Sequence, residues 1–492
     1  MNILFVISEA FYSEPLGIMQ LSAVARQSGH SCRLLVLSMH NVDEVLSQFH
    51  PNVVAYSTMT PNIGLFKITD GIISSWAMRM GRRIFRIMGG PHPTYFPEVL
   101  QELNLDAICI GDGDRAFETV LSRLNSNAPL DGIPNIATPA CPHPAKETVE
   151  DLDALPFVDR EIFYRAAPEL QHVGIRSVLT QRGCPYKCTY CFNHAYNQMF
   201  KGEGRVLFRR RSVDNVIAEL KHVVKNFPTV RMIRFSDDVF VTRTSGPWLQ
   251  EFAEKYPREV GLPFYCLIRA DVVTADVAAL LARAGCRSVG MSIESGDERI
   301  RNRVLKRNMP DSVLTNAFSL CHQNKIRVYG NTMLGLPGTT LEDDFRSVAF
   351  AHSLGHVAPT FGIFAPFPRT DLTELAMELQ VLSNDYDYTT ASYGSPSILQ
   401  QYTPTERQEL YRLYKLAPLF CRLPRFFMPA LRHAVKLPLD GLYSLMGNLF
   451  VSYCMSRIFP GSQPRNPIHL MRAIINSLRH WRPERKLASN AQ

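Results

Sequence analysis

Two blocks of alternating strand-like and helix-like segments constrain this chain more than any other feature. In the first block, Asn2–Ile7, Ser31–Leu37, Val53–Tyr56, Arg83–Met88 and Asp106–Ile110 are apolar runs of strand length. Leu16–Ser28, Val42–Phe49 and Ile63–Trp76 lie between them with a helical apolar period, the first stopping at Gly29. Buried strands separated by such helices predict a parallel sheet with helices on both faces. The second block repeats the pattern. Strands are predicted at Ser177–Thr180, Arg231–Phe235, Pro263–Arg269, Ser288–Ile293 and Arg327–Met333, with helices at Val213–Lys225 and Val272–Ala284, the latter closed by Gly285. These units predict a (β/α) barrel or partial barrel, with chemistry at the carboxyl ends of its strands. The fold class is therefore α/β, and 492 residues leave room for about two to four domains.

Hydrophobic residues make up 46% of the chain and charged residues 20%, which excludes a fibrous or wholly disordered protein. The net charge of +8 is uneven: Tyr411–Gln492 holds 13 lysines and arginines against 2 acids, a balance of +11, leaving −3 for the first 410 residues. A basic chain raises the prospect of nucleic acid. That end, however, is rich in Leu, Phe and Met and has no zinc-finger spacing. It fits an anionic membrane surface, an amphipathic substrate, or a helical subdomain with an arginine-rich outer face. The start, MNILFVISEAFYSEPLG, lacks the basic region of a signal peptide. LPLDGLYSLMGNLFVSYCM is interrupted by Asp440, Ser444, Gly447 and Asn448, short of the ~20 clean residues of a spanning helix. The expectation is a cytoplasmic protein, with peripheral membrane association open to the basic end. Eleven cysteines are too few for a disulfide scaffold.

Three of those cysteines are clustered in Arg182-Gly-Cys-Pro-Tyr-Lys-Cys-Thr-Tyr-Cys191. The Cys-x3-Cys-x2-Cys spacing puts Cys184, Cys188 and Cys191 on one short loop. With His194 as a fourth ligand it would suit zinc. It also suits a [4Fe–4S] cube with one iron left open. This spacing, with Tyr190 just before the last cysteine, resembles the radical S-adenosylmethionine (SAM) signature. The resemblance implies that the open iron chelates SAM and that electron transfer yields a 5′-deoxyadenosyl radical. It also places Glu294 against the SAM ribose or amino group, and Ser236 and Arg269 at strand ends facing the same cavity. Gly335 and Gly338 would let the adenine approach the backbone. Glu294 and Arg269 have ordinary alternatives as strand caps or ion-pair members. Asp237 and Asp238 form a carboxylate pair suited to acid–base work, but they also match a structural turn of that family.

In the first block no turn has the GxGxxG spacing of a dinucleotide fold. The run Glu14-Pro-Leu16-Gly17 before a helix, then Ser57-Thr58-Met-Thr60, Gly89-Gly90-Pro-His92 and Gly111-Asp-Gly113-Asp114, resembles the cobalamin-binding domain found ahead of radical-SAM domains. The resemblance implies that the glycines allow close approach of the corrin and its nucleotide tail, and that the hydroxyls donate to the same ligand. His92 would lie near the cofactor rim. The Asp-x-His-x-x-Gly motif that supplies a lower cobalt ligand is absent, since His30 and His40 both lack it. A Rossmann-like domain holding no cofactor is the plain alternative.

The resemblance spans residues 1 to about 370 and implies a Rossmann-like cobalamin-binding domain at 1–130, a linker at 131–176 and a radical SAM partial barrel at 177–370. The linker includes Asp151-Leu-Asp-Ala-Leu-Pro-Phe157. Residues 371–492 would form a mainly helical, substrate-associated domain: a loop at Asn384–Gln401 near the site mouth, helices at Thr405–Phe420, Arg425–Met446 and Phe450–Ile458, and a disordered end at Pro483–Gln492. Arg432, Lys436 and Arg457 would suit an organic, largely apolar substrate bearing an anionic group. The implied activity is cobalamin-dependent radical SAM methyl transfer to an unactivated carbon, fed by an external low-potential electron donor. The anaerobic magnesium-protoporphyrin monomethyl ester cyclases share this domain order, and motifs alone do not separate oxidative cyclisation from methyl transfer. Sulfur insertion or RNA modification is a further alternative. No small RNA-binding module is recognisable, so nucleic acid is not the expected partner.

Overall fold

The computed structural model describes residues 1–10, 13–200, 207–355, 358–389 and 392–460. The end at Pro483–Gln492, expected to be disordered, lies outside the described residues. The described residues divide into two compact units, one built on Met1–Ser177 with Phe200 and 207–209, the other on Val178–Met199 and 210–460.

In the first unit, β1 (Asn2–Ile7), β2 (Ser31–Val36), β3 (Val53–Ser57), β4 (Phe85–Gly89), β5 (Ala107–Cys109) and β6 (Ile136–Ala137) form one sheet in the order β2-β1-β3-β4-β5-β6. The first five pair in parallel, with Ile3 beside both Cys32 and Val53. Ile3–Val6 and Val54 are fully buried, as expected of strands covered on both faces. Four helices pack in pairs, Leu16–Gln27 with Asp114–Asn125 and Val42–Phe49 with Ile63–Arg79. Because β2 lies to one side of β1 and β3 to the other, the chain leaves these strands in opposite directions. In sheets wound this way, ligands bind beyond the carboxyl ends of the strands at that switch point.

The aperiodic stretch after residue 130 has more structure than its sequence suggests. It supplies β6, which pairs antiparallel with β5, and the helix Arg160–Ala166. Both are too short to express a period. Arg160 pairs with Glu14 at 2.7 Å, their side chains only 3% and 1% exposed. The Tyr164 hydroxyl (2.8 Å) and the Ser177 amide (2.5 Å) also donate to Glu14. A buried charge is tolerated only when so fully satisfied. This set fixes the approach to the helix Leu16–Gln27. Asp159 accepts from Ser22 at 2.7 Å and pairs with Arg26 at 2.8 Å, and Gln20 donates to Pro156 at 2.8 Å. The segment after Asp151 thus packs along that helix.

In the second unit, β7 (Ile175–Val178) precedes a ribbon of β8 (Gln181–Arg182) and β9 (Arg209–Arg210). It is joined in a six-stranded sheet by β10 (Met232–Phe235), β11 (Phe264–Leu267), β12 (Cys286–Gly290), β13 (Arg327–Leu334) and β14 (Ala358–Ile363). The strands lie in chain order, and β10 to β14 pair in parallel. That winding is the partial barrel predicted by the alternation. Phe235, Phe240, Phe252, Tyr256 and Phe264, all fully buried, cross-pack with centroids 4.8–6.2 Å apart. The helix expected from Val272 starts later: Ala270–Val272 is a 3-10 turn, and Thr274 caps Ala275–Ala284 by accepting from the Val277 amide. Gly285 ends it at φ 95, in the left-handed region that favours glycine.

Beyond the sheet, Thr403 and Glu406 form a capping box opening the helix Pro404–Phe420. The expected break between Met446 and Phe450 does not occur. After Met428–Ala434 the chain interrupts at Pro438 and then runs as one helix from Asp440 to Ile458. Gly447 sits where this helix crosses the preceding one, and a Cβ there would meet the Lys415 carbonyl oxygen at 2.5 Å. The glycine marks a close helix crossing, not an interruption. Leu410, Leu413, Leu416, Leu431, Val435 and Tyr443 share one apolar core with Leu334, Leu336 and Phe361 of the barrel.

Candidate functional site

The cysteine loop hangs from the carboxyl end of β7. Asp237, fully buried after β10, accepts from the Thr180 amide (2.7 Å), the Thr180 hydroxyl (2.8 Å) and the Gln181 amide (3.0 Å). Burial pushes its carboxyl up to about 7 against these bonds. Its donors are all in the lead-in to the loop, so its observed work is to hold that turn. Asp238 is hydrogen-bonded to Asn193 and acts electrostatically on Cys184 and Cys191. The Asn197 amide donates to the Cys184 carbonyl at 2.7 Å, and the Thr189 hydroxyl donates to the Val304 carbonyl at 2.8 Å. Burial pushes the free thiols of Cys184 and Cys191 up to about 11 and about 12. Among the described residues no three His, Cys, Asp or Glu stand close enough to hold one metal ion. His194 is engaged with Asp371 at 3.5 Å.

Two further strand ends converge on this loop. Arg269, following β11, donates to the Cys188 sulfur at 3.4 Å, stacks on the Tyr186 ring at 3.7 Å and pairs with Asp271 at 2.9 Å. Glu294, following β12, accepts from the Tyr190 hydroxyl at 2.7 Å and from Arg307 at 3.2 Å. Arg307 also donates to the Tyr190 oxygen at 2.5 Å. Burial, helped by Glu294 and Cys188 and opposed only by Arg307, pushes the Tyr190 phenol far up, so it remains a donor. Burial opposes charge on Arg307, but Tyr190 and Glu294 prevail and hold it charged.

Glu294 is 5% exposed and sits at φ 65, a strained conformation for a residue with a side chain. Its backbone is held by bonds to Asn331 and Met333 on β13. Glu294 Oε2 has no hydrogen-bond partner, and neither does the buried hydroxyl of Thr332 opposite it on β13. Unsatisfied buried oxygens cost free energy unless a ligand satisfies them. The unpartnered carboxylate oxygen therefore fits a bound amine or hydroxyl group that donates to it.

Ser236 lies at the end of β10, its amide bonded to the Val178 carbonyl. Gly335 has a φ of 70, its amide donates to Asp344 at 2.8 Å, and a Cβ there would meet Leu410 at 3.0 Å. Gly338 donates to Gln401 at 2.9 Å. On the loop placed near the site mouth, Tyr393 packs on Gly362 and Phe367 at the end of β14 and acts electrostatically with Glu294 and Cys191. Arg432 is spent on Glu342, two bonds of 2.6 Å. Arg457 lies at the amino end of the strands, its carbonyl bonded to Arg327. Sequence reasoning missed Arg307, Thr332 and the Phe367–Tyr393 packing because none falls in a spaced motif; only their burial and convergence distinguish them.

In the first unit the turns singled out from sequence gather at the carboxyl ends of β3, β4 and β5. Gly90, at φ 95, lies against Thr58, where a Cβ would meet backbone atoms at 3.1 Å. The Thr58 amide donates to Gly89 and the His92 amide to Thr58, each at 3.0 Å. The Gly111 amide donates to Thr94 at 3.1 Å. Ser57 ends β3, and Gly113 and Asp114 open the helix Asp114–Asn125. The Thr58 hydroxyl is buried without a partner. Leu16 and Gly17 open the first helix, and a Cβ on Gly17 would meet nothing within 4 Å. An orphaned hydroxyl and an open glycine at a sheet switch point fit a ligand that approaches the backbone.

His92 is 3% exposed, stacked on Phe96 and hydrogen-bonded to Thr60 at 3.3 Å. Burial pushes its pKa down to about 4. The unfolded chain therefore takes up this proton near 6.5 and the folded unit only near 4. The stability this neutral histidine contributes is complete above about pH 6.5 and is lost as pH falls, by up to about 3 kcal/mol. H92Q is expected to flatten that acid limb in urea unfolding followed across pH 4–7.

Two family models match these units: the B12 binding domain over residues 4–121 and the Radical SAM superfamily over residues 178–350. The chain is a radical SAM enzyme that carries a B12-binding domain ahead of its barrel. Among curated proteins it is 23% identical over 391 residues to an uncharacterized methyltransferase of Pyrococcus horikoshii, covering 76% of this chain and 82% of that one. It is also 23% identical over 432 residues to the cytidylyl-2-hydroxyethylphosphonate methyltransferase of Streptomyces wedmorensis, covering 73% and 77%. Its fold matches the radical SAM methyltransferase TsrM of Kitasatospora setae, solved with tryptophan and a SAM analogue, at TM-score 0.68 and 15% identity over 93% of this chain and 98% of that one.

Proposed function

We propose that this enzyme transfers a methyl group from methylcobalamin to an unactivated carbon of an organic substrate, after hydrogen abstraction from that carbon. Bound together, a [4Fe–4S] cluster, SAM and cobalamin would supply the radical and the methyl group for this chemistry. Cys184, Cys188 and Cys191 would hold the cluster, with Arg269 offsetting negative charge at the Cys188 sulfur. Glu294 would receive the SAM amine or ribose through its unpartnered Oε2, fixed in position by Tyr190 and Arg307. Ser236 would lie beside SAM at the end of β10, and Gly335 would contribute by shaping the turn after β13. Leu16, Gly17, Ser57, Thr58, Thr60, Gly89, Gly90, His92, Gly111, Gly113 and Asp114 would line the cobalamin site. His92 contributes there by orienting the Thr60 hydroxyl.

The observation that carries the reading is the buried, unpartnered Glu294 oxygen beside the three-thiol loop. The methyltransferase relatives support methyl transfer over other radical outcomes. An external low-potential electron donor and an oxygen-poor cytoplasmic setting go with this chemistry. The test is anaerobic incubation of the reconstituted protein with methyl-labelled SAM, reductant and small-molecule extract. Label is expected on a carbon of one compound in the extract. 5′-Deoxyadenosine without a labelled product would sink the methyl-transfer reading while leaving the radical assignment standing.

A further inference from the structure

Exposed large apolar side chains are concentrated on one helix. Asp440–Ile458 buries Tyr443, Gly447, Cys454 and Ile458. On its other side Leu442, Leu445, Leu449 and Tyr453 are 49%, 58%, 63% and 59% exposed. Their spacing of three, four and four residues aligns them as one stripe. Phe426, Phe427, Leu437 and Leu439, in the turns before the helix, are exposed as well. A helix apolar on both sides is normally covered on both. Here the barrel core covers one side, and no described residue covers the other. Contiguous apolar surface of this kind marks an interaction site.

Charge tells what kind of partner fits. Arg425 adjoins Phe426 and Lys436 adjoins Leu437, and both basic residues are exposed. At the other end of the stripe, Arg327 donates to the Arg457 carbonyl at 2.5 Å, and Arg287 stands near enough to act on it. Burial and these two like charges push the Arg327 guanidinium pKa down, and no carboxylate is among the groups acting on it. The single acid between residues 411 and 460, Asp440, is already held by Arg412 at 2.8 and 3.0 Å. The stripe is thus apolar along its length and positive at both ends. A nucleic acid would have no use for the leucines. A second copy of the chain, facing this one across a two-fold axis, would bring basic ends together.

Among the described residues no helix is long and apolar enough to cross a membrane. An amphipathic element lying in the surface plane needs no such length. It needs an apolar face, basic residues beside it and an aromatic at the boundary. We propose that this face docks the enzyme in plane on an anionic lipid bilayer. Leu442, Leu445 and Leu449 enter the acyl boundary, and Arg425, Lys436 and the Arg287–Arg327–Arg457 group meet the headgroups.

The test is flotation of the full-length protein with vesicles of phosphatidylglycerol and phosphatidylcholine, against vesicles of phosphatidylcholine alone. The wild type is expected to float with the anionic vesicles and to bind the neutral ones at least about tenfold less, with binding weakened in about 0.5 M salt. L445D/L449D should abolish flotation with its thermal midpoint and monodispersity unchanged, since both side chains are already in water. R425E/K436E should weaken binding about tenfold or more. Absence of wild-type flotation overturns the proposal, as does equal, salt-insensitive binding to both vesicles. Self-association that L445D/L449D abolishes, without vesicle binding, gives the face to a second copy and overturns it as well.

Discussion

The triple variant C184A/C188A/C191A is expected to retain the fold and lose the iron–sulfur cluster together with all SAM cleavage. In the folded chain the three thiols act on one another electrostatically, and Arg269 already sits 3.4 Å from the Cys188 sulfur. Burial pushes the Cys184 and Cys191 thiols up, so as free thiols they resist ionisation. A metal centre that accepts thiolate ligands, such as the proposed cluster, would repay that cost. Their backbone is held independently of the sulfurs, through Asp237, Asn197 and Thr189. Alanine at all three positions should therefore leave circular dichroism unchanged. Iron after anaerobic reconstitution should fall from about four atoms per chain to near zero, and 5′-deoxyadenosine should not form. Iron retained at the wild-type level would overturn the cluster assignment.

The second large effect is expected at Glu294. E294Q preserves shape and leaves Oε1 accepting from Tyr190 and Arg307, so the left-handed backbone and its bonds to β13 are undisturbed. What changes is the second oxygen, which has no protein donor. In the variant an amide nitrogen replaces it, or the carboxylate charge is lost to whatever cation or hydroxyl it receives. Hydrogen bonds to charged groups contribute about 1.5–3 kcal/mol, or about tenfold to a hundredfold in affinity. Equilibrium binding of SAM to the cluster-loaded variant should weaken by that factor with cluster content unchanged, while the thermal midpoint falls because the buried Arg307 loses its counter-charge. Unaltered affinity would remove Glu294 from the SAM site and return it to a structural ion pair with Arg307.

How far the site was legible depended on how its residues are spaced. Cys184, Cys188 and Cys191 stand within eight positions, so local spacing announced them. Asp237 and Asp238 looked like an acid–base pair because adjacency is all a sequence shows. Folding separates them, turning Asp237 inward to hold Thr180 and Gln181. Arg432 and Lys436 were read as a possible anion cradle, and the helix turn instead brings Arg432 to Glu342, ninety residues earlier. Gly335 illustrates the converse: the glycine was noticed, but its contact with Leu410 comes from a helix the motif does not include. Arg307 was invisible because its partners lie 13 and 117 residues away.

By itself, the sequence determined the two α/β blocks, their order and the thiol loop. Each of these is written in local periodicity or short spacing, which the chain carries before it folds. Tertiary structure alone decided which polar atoms were left without partners. Glu294 Oε2, the Thr332 hydroxyl and the Thr58 hydroxyl are orphaned only because burial removes water from them. It also decided that one side of the last described helix lies against the barrel and the other does not. Solvent exclusion is a property of the packed chain, and no residue carries it in advance.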